Sequence, residues 1–142
     1  MLNIPSEQTL WKTAAIGFGL IVGVAVVFVM QYLNLLLYPV PDSVDLNHQE
    51  EYVNFIYSNH AYLLGIIISN AAGSLVAGGL AKIIRHDLTN FHSFIAGFIL
   101  MALGYINYFM ISHPGWFLFL SLFAYIPFTW LGFVIVDKRL RN

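Results

Sequence analysis

Four long apolar runs constrain this chain more than any other feature. They cover residues 13–38, 61–84, 94–111 and 116–136. A helix needs about 20 residues to cross roughly 30 Å of hydrocarbon, and each run reaches or approaches that length. Backbone polar groups cannot go unpaired in lipid, so the runs are predicted to be helices and not open strands. Composition agrees: 59% of the 142 residues are hydrophobic and 9% are charged, where soluble domains carry about a quarter charged residues. The expected fold is an all-α membrane protein, a four-transmembrane-helix bundle. It forms a single integral membrane domain over residues 1–142, with a short outer amphipathic helix in the 39–60 loop between spans one and two.

The distribution of charge threads the chain. All six basic residues, Lys12, Lys82, Arg85, Lys138, Arg139 and Arg141, fall before span one, between spans two and three, or around the end of span four. The loop between spans one and two holds Asp42, Asp45, Glu50 and Glu51 and no Lys or Arg. The positive-inside rule then puts both termini in the cytoplasm. Trp11 marks the inner interface, and Tyr38, Tyr57, Tyr62 and Trp116 the outer one, where amphipathic rings favour the headgroup level. The first run is too long for a signal-peptide core and lacks a small-residue cleavage site after it, so it reads as a retained anchor.

In the outer loop, Pro39 and Pro41 end the first helix, since proline lacks the donor and restricts the residue before it. Asn47 followed by Glu50 reads as a capping box. Leu46, Val53, Ile56 and Tyr57 form an expected apolar stripe on the helix that follows.

Span two carries small residues at helical spacing. Gly65, Ser69, Gly73, Ala77 and Ala81 make one ridge, and Asn70, Ser74 and Gly78 a second beside it. Residues four apart share a helix face, and small side chains let a second helix approach closely, which drives association in lipid. Span one repeats the pattern in Ala15, Gly19 and Gly23, and span three in Ala96 and Gly104. These faces serve packing, either within one bundle or against another membrane protein.

Polar side chains recur in the outer half of the spans: Gln31, Asn34, Asn70, Asn107, Ser121 and Tyr125. Such groups avoid lipid and face the interior. Two readings stand, interhelical hydrogen bonds or a small polar pocket open to the outside. Pro127 lies within span four and is expected to kink it near Phe123, with Ser121 or water satisfying the freed carbonyl.

Functional chemistry is sparse. No cysteine is present, which excludes disulfides and thiolate metal sites. A net charge of -1 offers no basic footprint for nucleic acid. His48, His60 and His113 on the outer side are weak metal-ligand candidates, because imidazole beside carboxylates suits zinc-like ions; their spacing puts no two on one helix face. Histidines that could clamp a haem between spans are absent, and no cofactor is expected. The nucleophile, metalloprotease and phosphate-loop motifs are missing too, so the chain is not expected to be an enzyme.

The pattern G-x-L-V-x-G at 73–78 and Y-I-P-x-x-W-L-G at 125–132 resembles a family of small uncharacterised four-span bacterial integral membrane proteins. That resemblance implies a bacterial inner (cytoplasmic) membrane and brings no activity with it. The leading expectation is a non-catalytic accessory or scaffolding subunit of an inner-membrane complex. It would dock through the small-residue faces on another integral membrane protein or on a second copy of itself. The alternative is a small oligomeric transporter or channel using the outer polar pocket.

Overall fold

A computed structural model describes residues 6–45, 48–109 and 113–142, the side chains of 49, 107 and 109 excepted. It contains α1 (Glu7–Leu37), α2 (Gln49–Ser58), α3 (His60–Ile84), α4 (Asn90–Phe109) and α5 (Gly115–Arg141), with no strand among the described residues. Three of these, α1, α3 and α5, are long and apolar enough to cross a membrane. The described side chains of α4 give a shorter apolar helix, Asn90–Ile106.

Helix ends follow local chemistry more than apolar content. α1 begins six residues ahead of its apolar run because Ser6 caps it, its hydroxyl accepting from the Thr9 N–H at 3.3 Å. α5 likewise runs past its apolar run through Lys138, Arg139 and Arg141, cations that suit a helix C-terminus. Asn59 caps α3, its Oδ1 accepting from the Tyr62 N–H at 3.0 Å. That one residue is the whole connection between α2 and α3.

The outer helix differs from expectation in detail. His48 holds the N-cap position of α2 without a side-chain cap bond, while Leu46 and Asn47 lie outside the described residues. The buried face is rotated from the expected stripe. Ile56 is buried with Tyr52 and Phe55 against Tyr62 and Leu63, whereas Tyr57 is exposed. Tyr52 and Tyr62 meet hydroxyl to hydroxyl at 3.3 Å, which draws that side of α2 onto the N-terminal end of α3.

The long helices form a series. α1 packs on α3, α3 on α5 and α5 on α4, while α4 touches α1 and α3 only lightly. α3 is therefore the central stave. Its first small-residue ridge meets α1: a Cβ added to Gly19 would lie 2.6 Å from the Ala77 carbonyl oxygen, and one on Gly23 2.6 Å from that of Gly73. Its second ridge meets α5, where a Cβ on Gly78 would overlap the Thr129 carbonyl and one on Gly132 that of Leu75. Close backbone approach of this kind needs residues without side chains on both sides. Gly65 sits differently, under the Asn34 side chain.

Three hydroxyls within these interfaces are satisfied in their own helices. Ser69 donates to the Gly65 carbonyl at 2.8 Å, Ser74 to that of Asn70 at 2.7 Å and Thr129 to that of Tyr125 at 2.7 Å. They act as small residues that carry no unmet polar group into an apolar setting.

Candidate functional site: a cleft between α1 and α4

Because α4 is held mainly by α5, a gap opens between α1 and α4. It forms a cleft of about 250 Å3. Val24, Val27 and Phe28 of α1 face Leu100 and Leu103 of α4 across it, and the mouth lies between exposed Phe28 and Leu103. The floor is polar, made by Asn70 of α3, Tyr108 of α4 and Tyr125 of α5, with Gln31 on the α1 wall.

A three-helix hydrogen-bond triangle fixes that floor. Asn70 Nδ2 donates to the Tyr108 hydroxyl and, at 2.8 Å, to Ser121 Oγ. Tyr108 and Ser121 bond to each other at 2.7 Å. Tyr125 completes the floor, its hydroxyl lying against Gly104 of α4. Asn70 and Ser121 are essentially fully buried, at 1% and 0% exposure.

The triangle also sets the orientation of the amide. Its three edges need three protons, and the two hydroxyls supply only two. The amide must therefore present its NH2 side, which has two donors. Asn70 Oδ1 is consequently turned away, buried, and finds no hydrogen-bond partner among the described residues. An unmet buried acceptor is costly, and this one belongs to a residue lining the cleft.

The structure divides the six polar residues expected to form one pocket. Gln31, Asn70 and Tyr125 line the cleft, with Ser121 directly behind it. Asn34 is not in this group: its Nδ2 donates to the Tyr62 carbonyl at 3.0 Å, pinning α1 to the first turn of α3. The Asn107 side chain lies outside the described residues. Ser121 is engaged with Asn70 and Tyr108 and so is not the partner of the carbonyl freed by Pro127, which sits within α5 beside an apolar groove of about 250 Å3.

The three outer histidines do not converge. His48 bonds Asp45 at 2.8 Å, His60 stacks on Trp116 with centroids 5.7 Å apart, and His113 stacks on Phe117 at 5.0 Å. Among the described residues no three His, Asp or Glu side chains are grouped to hold a metal.

Sequence reasoning missed two groups. One is Tyr108, the hub of the triangle. The other lies at the opposite end of the bundle, where Lys82 is 4% exposed. Its Nζ donates to the His86 carbonyl at 2.6 Å and the Leu88 carbonyl at 2.8 Å, and pairs with Asp137 at 2.9 Å. The same ammonium lies 4.8 Å from the centre of the Phe133 ring. The Lys82 hydrogen bond holds the Asp137 carboxyl below the usual carboxylate range, with Arg141 adding to it. Nearby, Asp87 bonds Arg85 at 2.9 Å and Lys12 at 3.2 Å, which lowers it to about 2.

No family model matches the chain, and comparison with curated proteins and with solved structures gives no match. The two motifs 73–78 and 125–132 prove to be the two sides of one contact, since Gly78 meets Thr129 and Gly132 meets Leu75.

Proposed function

We propose that this chain is a four-span protein of a bacterial inner membrane, with both termini cytoplasmic, that binds a small lipophilic molecule in the α1–α4 cleft. Four spans are supported by the reach of α4. Leu88, just before it, joins Ala81 and Phe133 at the inner end, and Tyr108 joins Tyr62 and Phe117 at the outer end. α4 thus covers the same depth as its long neighbours. The cytoplasmic assignment rests on the basic residues that gather at the inner end.

The binding reading is carried by one observation: a cleft with apolar walls and a polar floor that opens sideways between two lipid-facing side chains. Ligand sites combine this kind of apolar lining with a few placed polar groups. The volume suits it, since an apolar cavity of about 150 Å3 admits benzene. No nucleophile and base meet at the floor, so the reading is binding without chemistry. The accessory-subunit alternative has less support, because both small-residue ridges of α3 are covered within the chain.

A photoactivatable single-ring probe carried in the bilayer tests the reading. It should label the cleft residues Gln31, Leu103 and Tyr125 ahead of more exposed ones outside it such as Phe18 and Ile21, and Leu103→Trp at the mouth should suppress that labelling. Even labelling over the whole apolar surface would sink the proposal.

A further inference from the structure

We infer that the C-terminal end of α5 holds an anionic phospholipid, its phosphate between Lys138 and Arg139 and an acyl chain along Phe128, Leu131 and Ile135. This rests on the membrane placement proposed above and is independent of the cleft.

Positive charge is left over here after the local acids have been used. All six bases but only three of the seven acids, Glu7, Asp87 and Asp137, belong to the inner end. Asp87 is held by Arg85 at 2.9 Å and Lys12 at 3.2 Å. Asp137 gives one oxygen to Lys82 at 2.9 Å and the other to Arg141 at 2.8 Å. Glu7 accepts from Trp11 Nε1 on its own helix at 3.5 Å. Lys138 and Arg139 are exposed and make no ion pair or hydrogen bond among the described residues.

Helix length sets the depth of these two cations. At 1.5 Å per residue the apolar run 116–136 matches about 30 Å of hydrocarbon. Residues 137–141 then stand in the headgroup layer, which adds about 5–7 Å on each side. Helical spacing sets their face. Lys138 follows Ile135 by three residues and Leu131 by seven, and Arg139 follows Ile135 by four, so both share a side of the helix with that row. Phe128, Leu131 and Ile135 are exposed, whereas Thr129, Gly132 and Phe133 are buried in the bundle. Side chains on a helix lean toward its N-terminus, which for α5 is the direction of the hydrocarbon. Lys138 and Arg139 therefore reach back over Ile135, each with an apolar stem along the row and a charged head at phosphate level.

That combination selects the lipid. A zwitterionic headgroup brings a cation of its own beside the two on the helix, and an anionic one does not. Free phosphate leaves the apolar row unused.

The test uses the full chain in phosphatidylcholine proteoliposomes, with a bimane fluorophore on Leu131→Cys, one turn below the cations. The quenchers are phosphatidylglycerol and phosphatidylcholine, each carrying a nitroxide on an acyl chain. Phosphatidylglycerol should reach half-maximal quenching at about fivefold to thirtyfold lower mole fraction, the effect of one to two cations at an anionic headgroup. At Phe119→Cys, in the opposite half of the same helix, the two lipids should quench alike. The pair Lys138→Gln and Arg139→Gln should abolish the preference at residue 131 and leave quenching by phosphatidylcholine unchanged. Equal quenching at residue 131 in the natural background would overturn the lipid assignment and leave the membrane placement standing. A preference that persists in the double variant, or is as large at residue 119, would overturn the assignment to Lys138 and Arg139. Should neither lipid quench at residue 131, the lipid site and the placement of α5 in the membrane fall together.

Discussion

Gly78→Ala adds one methyl group at the place where α3 and α5 touch backbone to backbone. The new Cβ would overlap the Thr129 carbonyl oxygen, with its carbon 2.8 Å away and Thr129 Cγ2 at 3.1 Å. Two effects oppose each other. Alanine is the better helix former, by about 0.8–1.0 kcal/mol. Overpacking a close-packed interface costs about 1–3 kcal/mol, and the upper part of that range applies where the obstructing atom belongs to a helix backbone and has no rotamer to escape into. The clash should win, leaving the variant less stable by about 1–2 kcal/mol. Gly17→Ala is the control, since a Cβ there meets nothing within 4 Å; it should gain up to about 1 kcal/mol from propensity alone. Reversible unfolding by SDS from mild mixed micelles, followed by far-UV circular dichroism and tryptophan fluorescence, separates the two. If Gly78→Ala is as stable as Gly17→Ala, the α3–α5 contact is not as close as described and the packing argument fails.

Tyr108→Phe removes the hub of the triangle and should destabilise the bundle by about 1–2 kcal/mol, toward the top of the range for interhelical hydrogen bonds in bilayers; the same SDS titration reads it. Lowering pH should weaken the inner end. Asp87 and Asp137 ionise more readily in the folded protein than alone, so their contribution is full above the ordinary carboxylate range near 3.8 and fades as pH falls, toward about 2 for Asp87. Asp87→Asn should flatten that acid response in a pH series of unfolding curves. Topology can be checked with single cysteines, because the chain has none of its own. Ser43→Cys and Gly115→Cys should react with an impermeant thiol reagent from one side of the membrane, and Asn90→Cys and Asn142→Cys from the other. Labelling of residues 90 and 115 from the same side would refute a spanning α4.

Much of the fold was legible because lipid imposes simple rules. Length and apolarity located the long helices, and glycine spacing located both contact faces of α3. The site was only partly legible. Asn70, Gln31, Ser121 and Tyr125 stand out as polar residues in apolar runs, yet nothing in the sequence says that Asn34 turns toward Tyr62, since that depends on how α1 is rotated about its own axis. Tyr108 escaped notice because a tyrosine near a helix end reads equally well as an interface anchor. Lys82 was more accessible to reasoning. It continues the ridge 70, 74, 78, 82, and Asp137 continues the facing row 121, 125, 129, 133, 137. Two opposed rows of period four, each ending in a charge of opposite sign at the same end, point to a pair across a parallel contact.

The serial arrangement α1–α3–α5–α4 has a consequence for biosynthesis. As the chain emerges, α3 finds α1 already in place, so the first helical hairpin closes early. α4 follows with little to pack against, because its main neighbour is still to come. α5 then has to slide between α3 and α4, carrying Ser121 to Asn70 and Tyr108 and adding Tyr125 to the cleft lining. The polar floor of the cleft therefore comes into being only with the final helix, and a nascent chain stopped short of α5 carries every wall of the cleft but not its completed floor.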